Sequence, residues 1–87
     1  MLFNFASNVH FTKLLKAAER LREFNFRKIK DPAEEIFNVD VADDRGNRII
    51  FRMRKQDNRW QLTDDDLPTW ITANENRLND VISEEGY

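Results

Sequence analysis

Residues 36–63 read IFNVDVA, DDRGN, RIIFRMRK, QDN, RWQLT: three runs of alternating apolar residues parted by two clusters of turn formers. Period-two alternation bounded by Asp, Asn and Gly is the signature of a strand–turn–strand repeat, and it predicts a three-stranded antiparallel meander.

The prediction carries its own consistency check. Alternate residues of a strand share a face, which groups Phe37, Val39 and Val41 in the first run and Ile49, Phe51 and Met53 in the second. A short loop with Gly46 at positive φ sets Val41 against Ile49, Val39 against Phe51 and Phe37 against Met53, so each apolar residue meets an apolar partner. For the second hairpin, closing Arg54 on Arg59 places Met53 opposite Trp60 and Phe51 opposite Leu62. One face is then oily. The other holds Asn38, Asp40 and Ala42, then Arg48, Ile50, Arg52 and Arg54, then Arg59, Gln61 and Thr63, as a sheet with one wet side requires.

Outside this stretch the expectations are less direct. Residues 1–8 read as a short extended segment, with Leu2 or Phe3 and Phe5 packing on the core or covering a strand edge. Phe11, Leu14, Leu15, Ala18, Leu21 and Phe24 recur at helical spacing and predict a helix over 9–24, capped by Asn8. Phe26 to Lys30 reads as extended, and Asp31-Pro32-Ala33-Glu34 as a turn. A second helix is expected over 66–84, capped by one of Asp64, Asp65 and Asp66, with a break near 72–75 where Thr72, Asn74 and Asn76 lower helix propensity. The sum is one α+β domain over 1–87: helix, three-stranded meander, helix, in two layers, both helices on the oily face.

Composition limits the function classes. An 87-residue chain buries only about 60–65% of its extended surface, enough for one core. With no cysteine there is no disulfide, thiolate nucleophile or thiolate metal site. The first dozen residues, uncharged apart from His10, read as neither a signal peptide nor a membrane span, so the expected location is the cytoplasm. The net charge of −2 hides alternating blocks: seven basic and two acidic residues in 1–30, six acidic and no basic in 31–44, six basic and one acidic in 45–59, one basic and seven acidic in 60–87. Such blocks pair neighbouring elements and leave some surfaces of one sign.

Catalytic chemistry has little to draw on. The only histidine, His10, has Ser7 and Thr12 nearby but no carboxylate to orient it, and a first-turn surface histidine explains it. Neither Asp64-Asp65-Asp66 nor Asp43-Asp44 has the spacing of a calcium loop, and helix capping and turn solvation account for them. The two glycines lie forty residues apart, which leaves no phosphate loop. No cofactor and no metal is expected.

The basic outer face, Arg48, Ile50, Arg52, Arg54 and Arg59, is the sharpest lead. It suggests a small non-enzymatic interaction or adaptor module whose partner is a protein, or a second copy of the chain joined through a sheet edge. The alternative is a nucleic-acid binder using the same arginines, which the lack of an outward aromatic weakens. The plain alternative to both is a solvated face, with Asn38 and Asp40 balancing part of the charge.

Overall fold

The computed structural model describes residues 9–87; the N-terminal segment expected over 1–8 and the cap expected at Asn8 lie outside them. It corrects the two-layer helix–meander–helix expectation. Five antiparallel strands, β1 (His10–Ala17), β2 (Arg20–Ile29), β3 (Ile36–Ala42), β4 (Arg48–Gln56) and β5 (Arg59–Leu62), follow one another in a meander that curls into a half-barrel. Two short helices, α1 (Thr69–Thr72) and α2 (Glu75–Glu84), come after the last strand.

The helix expected over 9–24 is a β-hairpin. Ala18 and Glu19 stand at φ 52° and 63°, a two-residue turn with both central residues in the left-handed region. Phe24 and Phe26 explain why strands win here. Both are fully buried, and a spacing of two puts them on one face of a strand but on nearly opposite sides of a helix. Opposite them across the hairpin lie Lys13 and Phe11, and the rings of Phe11 and Phe26 stack at 4.8 Å.

β2 then pairs with β3, so Phe26–Ile29, expected as extended, lies along β3 and covers its edge. Asp31 builds the connection, its carboxylate accepting the N–H groups of Ala33 (2.8 Å) and Glu34 (3.1 Å). The β3–β4 register is the expected one: Val41 with Ile49, Val39 with Phe51, Phe37 with Met53.

The β4–β5 register differs from expectation by two residues. Asp57 and Asn58, at φ 55° and 64°, close a two-residue turn, so Gln56 rather than Arg54 faces Arg59, and Met53 faces Leu62. An even slip keeps every side chain on its expected face. It also extends β4 inward to Lys55, whose ammonium lies 5.9 Å from the Trp60 ring centroid and donates to the main-chain oxygen of Tyr87 at 2.6 Å.

The concave face carries the core. Leu15, Ala17, Phe24, Phe26, Phe37, Val39, Val41, Phe51, Met53 and Trp60 are buried there against Ile71, Leu78, Val81 and Ile82 of the helices. The helix expected over 66–84 is broken at Ala73–Asn74, inside the expected window; the Asn74 side chain donates to the Trp70 carbonyl at 2.7 Å. Its expected cap is corrected: Pro68, not an aspartate, precedes the first turn, and no side chain caps it.

Helix α2 also finishes an edge of the sheet. Asn79 accepts the Trp60 N–H and Glu75 the Leu62 N–H, both at 2.8 Å. Spaced four apart on one helix face, these acceptors give β5 the partners that a sixth strand would supply. Just beyond α2, Glu85 reaches Lys13 of β1 at 3.5 Å, so the helix lies across the open side of the half-barrel.

Candidate functional site

Arg48, Ile50, Arg52 and Arg54 occupy successive outward positions of β4, all exposed, roughly 6.7 Å apart along the strand. Ile50 stands 65% exposed between two arginines. Arg59 does not join them. It sits beside the β4–β5 turn, and its guanidinium donates to Asn76 of α2, around the edge of the sheet.

Two of the β4 arginines are neutralised within the chain. Arg48 reaches Asp40 at 3.1 Å, and Arg54 reaches Glu34 at 2.7 Å. Arg52 has no ion pair among the described residues. Its row across the sheet is Arg52, Asn38, Arg27, His10. Arg27 is likewise exposed and without an ion pair among the described residues. Between these two guanidinium-bearing strands, the Asn38 Oδ1 is buried and lacks a hydrogen-bond partner among the described residues.

Sequence reasoning missed Arg27. It alternates with Phe26 and Lys28, so the signal was present, but a helix over 9–24 left β2 too short to count as part of the sheet. Ile36 shares the outward phase of Asn38 and Asp40 but is buried opposite Ile29.

A polar ladder adjoins this row. The Thr12 hydroxyl donates to Asn25 Oδ1 at 2.7 Å, the Asn25 amide donates to Asp40 Oδ1 at 3.0 Å, and Arg48 donates to the same oxygen. His10 lies at the end of a hollow of about 290 Å³ lined by Thr12, Asn25, Arg27, Asp40 and Arg48. Ser7, its neighbour in sequence, lies outside the described residues. Every phenylalanine and tryptophan ring borne by the strands points to the concave side, so among the described residues the outer face offers no stacking platform.

The acidic clusters lie in the connections between elements. Asp43 accepts the N–H groups of Arg45 (2.9 Å) and Asn47 (2.8 Å) and so shapes the β3–β4 loop. Asp64, Asp65 and Asp66 are exposed ahead of α1. Among the described residues no three acidic or imidazole side chains converge in a metal-binding arrangement.

Comparison with protein-family models, with curated proteins and with solved structures finds no match to this chain. The functional reading therefore rests on its own geometry. No described helix is long and apolar enough to cross a membrane.

Asp44 ties the two hairpin tips on the far side of the β2–β3 pair. Its Oδ1 takes Arg22 at 2.9 Å and Arg20 at 2.8 Å. The hydrogen bond and charge of Arg22, with Arg20 adding to them, hold its carboxyl below the usual carboxylate range. A depressed folded-state pKa contributes stability above the unfolded value, about 3.9, and that stability is lost as pH falls through the folded value. Asp44→Asn is therefore expected to be less stable than the parent at pH 7. Denaturation midpoints taken down a pH series should show the gap narrowing in the acid range below about 4.

Proposed function

We propose that this chain is a small non-enzymatic interaction module that binds an acidic protein surface through the outer face of its sheet. The observation that carries the reading is the centre of β4, where an isoleucine 65% exposed is flanked by Arg48 and Arg52, with Arg52 and Arg27 left without anionic partners among the described residues. An exposed aliphatic side chain flanked along its strand by two guanidinium groups, with Asp40 opposite it on β3, matches an acidic surface that carries an apolar residue, since arginine supplies both planar hydrogen bonding and apolar contact. Arg27 replaces Arg59 in the proposed set, because Arg59 is held by α2.

Binding assays against a panel of acidic peptides bearing aliphatic residues test this. At least one is expected to bind, and Arg52→Glu and Ile50→Asp should each weaken it by about tenfold or more. Both positions are exposed, so circular dichroism should stay that of the parent. If no peptide binds, or if binding survives both changes, the reading fails. Oligonucleotides run in parallel address the other use of these arginines. Binding with a steep salt slope that Arg52→Glu flattens would replace the protein partner with nucleic acid.

A further inference from the structure

We propose that two copies of this chain join edge to edge through β1, antiparallel and centred on Leu14, to make one continuous ten-stranded sheet.

The phase of β1 decides which backbone groups are available. The Val9 carbonyl accepts the Lys28 N–H at 2.9 Å, and in an antiparallel ladder residues two apart direct their N–H and C=O groups to the same side. Val9, Phe11, Lys13, Leu15 and Ala17 therefore bond toward β2. The N–H and C=O groups of His10, Thr12, Leu14 and Lys16 point to the other side of β1, where no strand pairs among the described residues. The two ends of the sheet are thus treated differently: α2 supplies side-chain acceptors to β5, and no described element does so for β1. An eight-residue edge of this kind is a template for strand addition.

The side chains then select the occupant and the register. Leu14 is 63% exposed in the middle of β1, on the outer face. Two-fold pairing centred on it sets Leu14 against the partner's Leu14, Lys16 against the partner's Thr12, Phe11 against the partner's Ala17 and Lys13 against the partner's Leu15. Leu14, Thr12 and Lys16 are the residues whose backbone groups face outward, so they become the hydrogen-bonded pairs of the new ladder. The register one step toward the N-terminus stacks Lys13 on its own copy, a like-charge pair that destabilises. The step toward the C-terminus shortens the ladder, because Ala18 already turns away at φ 52°. Lys13, whose ammonium would otherwise guard the edge, is turned inward to Glu85. The strand is self-complementary in one register, as a closed two-fold interface requires.

Because the chain has no cysteine, a single introduced thiol reports the contact. Paired residues in a hydrogen-bonded antiparallel position have Cα atoms about 5.5 Å apart, within disulfide range. Leu14→Cys is expected to convert almost entirely to a covalent dimer under mild oxidation. Leu21→Cys, equally exposed at 69% but one strand further in, should remain uncrosslinked. Sedimentation of the unmodified chain at high micromolar concentration should give twice the chain mass. Leu14→Lys, which sets two ammonium groups on the axis, should halve that mass while leaving the circular dichroism unchanged. A monomeric parent chain, or Leu14→Cys that crosslinks no faster than Leu21→Cys, overturns the proposal.

Discussion

Phe37→Ala is expected to lower the free energy of unfolding by about 3–5 kcal/mol, the range for removing a fully buried phenylalanine without collapse of its site. Phe37 sits on β3, the middle strand of five, with no exposed surface. Its ring meets three others edge-on: Phe11 of β1 at 5.7 Å, Trp60 of β5 at 5.1 Å and Tyr87 at 5.6 Å. One side chain thereby links the two outermost strands and the segment after α2. Alanine removes all three contacts, and the surrounding ladder cannot close in, because strand spacing is held by backbone hydrogen bonds. Urea denaturation measures the loss, and a change under about 1 kcal/mol would show that the sheet does not curl around this ring. Phe37→Leu, which retains much of the volume, should cost less than half as much.

Arg22→Ala is expected to cost about 2–3 kcal/mol, from hydrogen bonds to a charged donor and the loss of its contact with an indole. Arg22 lies on the concave face and is only 7% exposed. Its Nε donates to the Ala17 carbonyl at 2.8 Å, Nη1 reaches the Ala42 carbonyl at 3.5 Å, and the guanidinium carbon lies 4.4 Å from the centroid of Trp70 on α1. The group therefore pins the β1–β2 tip, the end of β3 and the first helix together. Removing one partner of a fully buried ion pair costs more, about 3–5 kcal/mol. Here Asp44 is largely exposed, so water takes over its charge when the arginine goes. Arg22→Met should recover the packing on Trp70 but not the hydrogen bonds, and so fall between the two. Denaturation followed by tryptophan fluorescence reads both, and equal stability of all three chains would show that the guanidinium carries no weight.

These two residues mark the division between what local pattern reveals and what it hides. Phe37 was legible as core because β3 and β4 alternate strictly and Gly46 marks the turn between them; one register satisfied every apolar position, and the structure holds that register. The same alternation placed Arg48, Ile50, Arg52 and Arg54 on the wet side, where they stand. Arg22 was not legible. Its hairpin turns at Ala18-Glu19, two residues with no special claim on positive φ, and the apolar residues of 9–24 recur at helical spacing, while the strands leave Leu14 and Leu21 exposed on the outer face.

The composition and alternation of residues 36–56 alone specify a one-sided antiparallel pairing with an arginine-bearing outer face, because a period of two puts every second side chain on the same side. Tertiary structure decided the rest. Pairing with β3 made 20–29 a strand, since only there do Phe24 and Phe26 both enter the core; strand order set Arg27 in one row with Arg52, with Asn38 between them; and α2, lying along β5, drew Arg59 away from them. Each of these depends on contacts between residues distant in the chain, whose free energy outweighs the fraction of a kilocalorie per residue by which local propensities differ.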